Sequence, residues 1–118
     1  MFRWGAKAAH DIPELASTED FDALLGHDLV IVFKHSPACV ISWMAHAQVV
    51  RFLTAHPHAR VYLISVRQRR DLARYVAQQT GVQHESPQVL VLRRGNLIAA
   101  ASHDDITSEL LSSLLQTD

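Results

Sequence analysis

Cys39 is the single cysteine of the chain, and it lies in FKHSPACVISWMAH (residues 33–46), where an apolar run gives way to a helical pattern. A cysteine reacts as its thiolate, which is the minor form of an unperturbed thiol at neutral pH. The first turn of a helix offers unpaired backbone N–H groups and the positive end of the helix dipole, and both stabilise a thiolate. The position therefore predicts a reactive thiol. The alternative is a small apolar residue buried where a strand meets a helix.

Ser42 follows Cys39 by three residues, at the position where a dithiol oxidoreductase has its second, resolving cysteine. A serine cannot resolve a disulfide. A thiol without a resolving partner can still attack a mixed disulfide, take up the small thiol, and be released by a second small thiol. The spacing therefore predicts a monothiol cycle that uses Cys39 and Ser42. The alternative is a first-turn helix serine that bonds to backbone.

Three histidines are candidates for tuning the thiol, namely His35, His46 and His84. His84 is the strongest of them, because the loop that contains it is expected to face Cys39. No pair of histidines has the spacing and the second ligand type of a zinc site, so no metal is expected. Lys34 and Arg67 lie at predicted strand ends, where they could add positive potential to the site; the favoured interpretation of each is a solvated charge.

The elements that would position these residues alternate along the chain. Apolar residues at helical spacing predict helices, and continuous β-branched runs predict buried strands. The predicted elements are, in order, a helix within 17–27, a central strand at 29–33, a helix at 40–54, a strand at 60–66, a helix within 68–82, two strands within 89–102, and a helix within 104–116. Ser17 or Thr18 is expected to cap the first helix and Asp104 or Asp105 the last, while Gly26 and Gly81 are expected to end the first and third helices. Gly95 and Asn96 are expected to form the turn between the last two strands.

This order indicates one α/β domain over residues 1–118, with an irregular lead-in at 1–17. Strand, helix and strand in succession imply parallel strands with a crossover helix. The expected fold is thioredoxin-like, with a central mixed sheet of about four strands flanked by helices. In that layout, redox chemistry occurs at the N-terminus of the helix after the first core strand, where Cys39 lies.

Pro87, in the segment HESPQ, directly precedes a predicted strand. An X-Pro bond can be cis, and in thioredoxin-like domains a loop with a cis-proline faces the cysteine. The backbone before that proline pairs with an incoming peptide or thiol, and Ser86 would supply it here.

Composition excludes several classes of function. A chain of 118 residues with 48% hydrophobic content can build one core, and a net charge of −1 leaves no basic excess for nucleic acid. No apolar run approaches the roughly 18 residues of a membrane span, and the N-terminus lacks the pattern of a secretion signal. One cysteine cannot form an internal disulfide, which suits a reducing compartment. We expect a soluble, cytoplasmic protein without nucleic-acid or membrane partners.

The segments FKHSPACVIS, HESPQVLVLRRG and ASHDDIT occur in an order that resembles the monothiol bacilliredoxin family, thioredoxin-fold proteins of the bacillithiol system. The resemblance runs from about residue 20 to 115. It implies that Cys39 is the active thiol, that Ser42 stands where a resolving cysteine is absent, and that Pro87 is the cis-proline. His84, Glu85, Ser86 and Gln88 would belong to the proline-loop motif. The family pattern has proline directly after the cysteine, whereas this chain has Val40, which has the backbone N–H that proline lacks.

The resemblance also implies an activity, that of a thiol-disulfide oxidoreductase of the stress response. The enzyme would remove bacillithiol from S-bacillithiolated proteins and leave Cys39 as a mixed disulfide with bacillithiol. Free bacillithiol or another thiol reductant would then regenerate Cys39. Bacillithiol would be a co-substrate, with no bound cofactor. The substrate-binding residues would be His35, His84, Ser86 and Pro87.

Two other functions stay open on the sequence. Monothiol glutaredoxins carry iron-sulfur clusters with a C-G-F-S motif, which also has one thiol and a serine three residues on. Val40 replaces the glycine of that motif, and a branched residue restricts backbone approach. The other function is that of a non-enzymatic thioredoxin-fold partner protein in which Cys39 is merely buried.

Overall fold

The strand that leads to Cys39 lies at the centre of a four-stranded sheet. The computed structural model describes residues 12–116, and β1 (Val30–His35) is buried along its whole length. The strand order is β2-β1-β3-β4, formed by β2 (Val61–Ser65), β3 (Gln88–Arg93) and β4 (Asn96–Ser102). β1 pairs parallel with β2 and antiparallel with β3, which in turn pairs antiparallel with β4. The predicted mixed sheet with a central first strand is therefore confirmed.

Helices cover both faces of this sheet, because successive side chains of a buried strand point to opposite sides. Ile31 and Phe33 face a cluster that includes α2 (Val40–Ala55) and α4 (Ser108–Leu115). Val30 and Val32 face the opposite cluster, which includes α1 (Thr18–Leu24) and α3 (Arg70–Thr80). The predicted order of helices and strands is confirmed, and a 3₁₀ helix at His103–Asp105 is added to it.

The described part of the predicted lead-in is not wholly irregular. The Leu15 N–H donates to the Leu63 carbonyl over 2.8 Å, and the Leu63 N–H donates to the Pro13 carbonyl over 2.8 Å. These bonds fix the segment against the free edge of β2. Ser17 then caps α1, as predicted, by accepting the Asp20 N–H over 3.1 Å. The rest of the lead-in, residues 1–11, lies outside the described residues.

The predicted turns need two corrections. The β3–β4 hairpin turns at Arg94 and Gly95, whose φ angles are 51° and 83°, and Asn96 already pairs with Arg93. Two positive φ angles form the turn type whose twist matches the flanking strands. α1 ends at Leu24, before Gly26, which is not in the left-handed region, whereas Gly81 caps α3 with φ 76° as predicted.

The cap of the last helix was also predicted wrongly. Asp104 and Asp105 lie in the 3₁₀ helix, and the side chain of Thr107 caps α4 by accepting the Leu110 N–H over 3.1 Å. The buried Ile106 has φ −78° and ψ 104°, an extended conformation that separates the two helices. The last helix therefore begins later than the acidic pair suggested.

Candidate active site

Cys39 occupies the N-cap position of α2, which confirms that a helix begins directly after it. Its backbone is extended, with φ −115° and ψ 124°. Its N–H donates to the Ser36 carbonyl over 3.1 Å, and its carbonyl accepts the Trp43 N–H over 3.2 Å. The thiol is free and half-buried, and it makes no capping hydrogen bond. The N-cap is in general the position from which a side chain can accept hydrogen bonds from first-turn N–H groups, so the thiol occupies a place where a thiolate is favoured.

The segment between β1 and α2 explains why the helix begins where it does. Pro37 prevents the strand from continuing, and the extended backbone of Cys39 provides the non-helical entry that an N-cap requires. Val40 is the first helical residue and is 76% exposed. The residue that departs from the family pattern therefore lies on the surface next to the thiol.

Ser42 is fully buried and tethers the first turn of α2 to the end of β1. Its Oγ lies 2.7 Å from His35 Nδ1 and accepts the Ser36 N–H over 2.9 Å. The backbone group that Ser42 binds thus belongs to the loop before the helix. Since Ser42 lies one turn after Cys39, these bonds also fix the position of the helix end that carries the thiol.

His35 lies on the same side of the sheet and is only 3% exposed. Burial lowers the pKa of His35 to about 4, with a further lowering from His46 and an opposing effect of the Ser42 hydrogen bond. The imidazole is therefore neutral at pH 7. Its ring packs edge-on against Trp43, with centroids 4.5 Å apart. Its Nε2 is buried and has no hydrogen-bond partner among the described residues.

The proline loop lies at the same end of the sheet. The Ser86–Pro87 peptide bond is cis, as the resemblance implied. Lys34 pairs with Gln88 across β1 and β3, so the next position in the register places Pro87 level with His35. The Pro87 carbonyl accepts the His103 N–H over 2.9 Å. The Oγ of Ser86 is buried without a partner in the part of the chain that the structure describes.

Lys34 contradicts the expectation of a solvated charge. Its side chain is 0% exposed, and its Nζ lies 3.2 Å from His84 Nδ1. Burial lowers the pKa of Lys34 to about 8, and the pKa of His84 is lowered by burial and then by the nearby lysine. No carboxylate of residues 12–116 pairs with this lysine. Arg67 is exposed, as expected.

The sheet divides the predicted site residues into two groups. His35 and Ser42 meet on the α2 side, beneath the turn that carries Cys39. His84 instead contacts Lys34 on the α3 side. His46 packs on the ring of His35 with centroids 5.2 Å apart. Within the described residues, no group of three or more His, Cys, Asp or Glu could hold a metal ion, and no helix has the length and apolar character to cross a membrane.

Sequence reasoning missed an exposed apolar surface beside the thiol. Ile41 and Met44 belong to the apolar residues at helical spacing that indicate the helix at 40–54, yet they are 49% and 64% exposed. Trp43 is 48% exposed, and its indole N–H donates to the Pro37 carbonyl over 2.8 Å. The signal in the sequence was the segment VISWM, which has apolar residues on more sides than one buried face can use.

Comparison with known proteins places this geometry among thiol redox proteins. A family model described as "Monothiol bacilliredoxin BrxC" matches residues 11–111. A solved structure described as a candidate oxidoreductase with a thioredoxin fold is 33% identical, covers 89% of this chain and 94% of its own, and superposes with a TM-score of 0.84.

Two solved thioredoxins show the same fold at low identity. Mitochondrial thioredoxin 3 from Saccharomyces cerevisiae, in its oxidized form, is 17% identical over 92% of this chain and 98% of its own, with a TM-score of 0.72. Thioredoxin from Trypanosoma brucei brucei is 13% identical over 89% and 88%, with a TM-score of 0.71. The predicted thioredoxin-like fold is confirmed.

Proposed function

Because the chain belongs to the monothiol bacilliredoxin family and has a thiol redox role, we propose that it removes bacillithiol from S-bacillithiolated proteins by thiol-disulfide exchange at Cys39. The observation that carries this proposal is the half-buried free thiol at the N-cap of α2, with a buried serine one turn later. Bacillithiol is the co-substrate, and the S-bacillithiolated proteins are the partners.

The first step is attack by the Cys39 thiolate on the bacillithiol sulfur of the mixed disulfide. A new S–S bond forms between Cys39 and bacillithiol, the old S–S bond breaks, and the substrate protein leaves as a thiolate that takes up a proton. The N-cap position favours this step, because first-turn N–H groups stabilise the attacking thiolate.

The second step regenerates Cys39. Since the chain has no second cysteine, the thiolate of a second bacillithiol molecule attacks the bacillithiol sulfur bound to Cys39. Bacillithiol disulfide forms, and Cys39 leaves as a thiolate. Ser42 takes no part in either bond exchange; its role is to hold the helix end through His35 and Ser36.

The proline loop supplies the binding surface in this proposal. Pro87 lies level with His35 across the sheet, and its own carbonyl is already paired with His103. The backbone of Ser86, just before it, is the group that would pair with the incoming disulfide. His35 and His84 lie on opposite faces of the sheet, where His35 contacts Ser42 and His84 contacts Lys34.

The test follows bacillithiol by mass spectrometry. The native protein is incubated with an S-bacillithiolated substrate protein, and both chains are weighed with time. We expect the substrate to lose one bacillithiol and the protein to gain one at Cys39, with no gain in Cys39→Ser. A parallel reaction uses the same substrate protein carrying glutathione.

Two outcomes would contradict the proposal. A thiol that stays unmodified until denaturant is added would exclude exchange in the folded state. Equal rates with the bacillithiol and glutathione adducts would leave the thiol redox role but remove the assignment to bacillithiol. The variant Ser42→Ala serves as a control, because it leaves Cys39 in place and should still form the adduct.

A further inference from the structure

A groove on the α3 side of the sheet is lined by three arginines and, among the described residues, by no carboxylate. It has a volume of about 450 Å³, and its lining residues are Val66, Arg67, Arg70, Ala73, Arg74, Ala77 and His84. Arg70, Ala73, Arg74 and Ala77 recur at spacings of three and four on α3, so they share one helix face. Small alanine side chains lie between the arginines and leave room for a ligand.

The charges in this groove are not explained by pairing within the chain. In residues 12–116, Arg67 and Arg70 take part in no ion pair, and Arg74 has a single 3.5 Å contact with the exposed Asp71. No acidic side chain of residues 12–116 lines the groove, but two carboxylates act on its lining residues, Asp71 on Arg74 and Glu85 on His84. Arg70 also begins α3, where the positive end of the helix dipole repels a cation. A bound anion would offset this repulsion.

The buried cation Lys34 also favours an anion in the groove. His84 forms part of the lining, and the Nζ of Lys34 lies 3.2 Å from its Nδ1. The lysine side chain is fully buried and has no carboxylate partner in the described chain. Because a buried charge is screened weakly by solvent, it adds to the positive potential of the groove.

The groove adjoins the redox site through two segments of backbone. The N–H of Val66, at the rim, donates to the His35 carbonyl over 3.0 Å, and β1 ends at this residue before the turn to Cys39. His84, another lining residue, comes three residues before the cis-proline Pro87. The groove therefore lies at the end of the sheet where the thiol and the proline loop are found.

We propose that this groove binds the carboxylates of the low-molecular-weight thiol while its sulfur is at Cys39. The inference rests on the proposed function. Bacillithiol joins its cysteine to glucosamine and the glucosamine to malate, so the thiol lies at one end and two carboxylates at the other. A guanidinium donates two parallel hydrogen bonds to a carboxylate, which suits Arg67 and Arg70 to this end of the molecule.

The test compares the reaction of Cys39 with an anionic disulfide and with a neutral one. Bacillithiol disulfide carries the carboxylates, and bis(2-hydroxyethyl) disulfide is neutral. The double variant Arg67→Gln/Arg70→Gln removes two exposed charges from the groove, and the control Arg51→Gln/Arg60→Gln removes two exposed charges elsewhere. The second-order rate constant of Cys39 is measured with each disulfide at low ionic strength, where charge interactions are least screened.

We expect the groove variant to react with bacillithiol disulfide at least about tenfold more slowly than the native protein, because it loses charge-assisted hydrogen bonds. Its rate with the neutral disulfide, and both rates of the control variant, should stay unchanged. Ala77→Glu, which places a carboxylate in the groove without removing an arginine, should slow bacillithiol disulfide selectively as well. Unchanged thermal unfolding of each variant verifies that the fold is retained.

Other results separate the two proposals. If the native protein reacts with bis(2-hydroxyethyl) disulfide and not with bacillithiol disulfide, the proposed function fails. If it reacts with both and the groove variant matches the control, the proposed function stands and the groove assignment is overturned. A loss confined to S-bacillithiolated protein substrates would also overturn it, because the groove would then bind acidic protein surfaces instead of the small thiol.

Discussion

Replacement of Ser42 by alanine tests whether the tether beneath Cys39 is structural. The hydroxyl makes a 2.7 Å contact with His35 Nδ1 and accepts the Ser36 N–H over 2.9 Å. Ser42→Ala leaves both groups without this partner, and each buried group left unpaired costs about 1–3 kcal/mol. Because Ser36 is only half-buried, water can reach part of the site. We therefore expect the free energy of unfolding to fall by about 2–4 kcal/mol.

The measurement is urea unfolding followed by circular dichroism, with Ser112→Ala as the matched control. Ser112 also bonds to a histidine, His56 Nε2, over 3.1 Å, but it is half-buried and binds no backbone N–H. The control should lose no more than about 1 kcal/mol. Equal losses in the two variants would refute the tether. The rate of adduct formation at Cys39 should stay within about threefold of the native rate, because Ser42 is placed outside the bond exchange.

Three further predictions concern residues around this site. Val40→Pro should raise the free energy of unfolding by about 0.4–1 kcal/mol, because Val40 is the first helical residue and the extended backbone of Cys39 suits a residue before proline. Lys34→Met should raise it by about 2–3 kcal/mol at pH 7, because the lysine pKa falls from 10.5 to about 8 on folding and the burial penalty is fully present below pH 8. For His35, whose pKa is lowered to about 4, the unfolded chain binds a proton between about pH 4 and 6.5 that the folded chain does not. Stability should therefore fall with decreasing pH through that window, by at most roughly 1.4 kcal/mol per pH unit from this residue.

Each of these predictions has a result that contradicts it. A loss of stability in Val40→Pro would mean that the backbone N–H of Val40 has a hydrogen-bond partner, which the proline would lose. A destabilised Lys34→Met would mean that the ammonium is compensated by groups other than His84. For the pH effect, His35→Gln should reduce the difference between the free energies of unfolding at pH 5 and pH 7, by up to the effect of one bound proton. An unchanged dependence of the free energy of unfolding on pH would mean that other histidines cause it.

Much of the fold was predictable because its signals are local. The run LVIVF is continuous and β-branched, which only a strand buried on both faces accommodates well, and β1 is buried on both faces. Gly81 stops α3 because glycine adopts a positive φ without strain. The β3–β4 turn was displaced by one residue because Arg94, a residue that rarely adopts positive φ, takes the position that the sequence pattern assigned to glycine.

The environment of the site was less predictable because it depends on distant contacts. A lysine at a strand end is normally solvated by extending its side chain. Lys34 is instead covered on the α3 side, and its Nζ contacts His84, fifty residues further along the chain. Nothing in the local sequence around Lys34 specifies that contact. The groove beside it was missed for the same reason, since it joins α3 to the proline loop.

The rotation of α2 about its axis explains both the buried serine and the exposed apolar residues. Its buried stripe runs through Ser42, Ala45, Val49 and Phe52, so Ile41 and Met44 fall on the neighbouring, exposed stripe. Later in the helix the sequence distinguishes the two stripes, because Gln48 and Arg51 continue the exposed one, but in the first turn the exposed stripe begins with apolar residues too. The bonds from Ser42 to His35 and Ser36 are specific to the observed rotation. The apolar residues further along therefore set the face of α2 that is buried, and the residue that replaces a resolving thiol fixes the first turn, with Cys39 at its N-cap, against the end of β1.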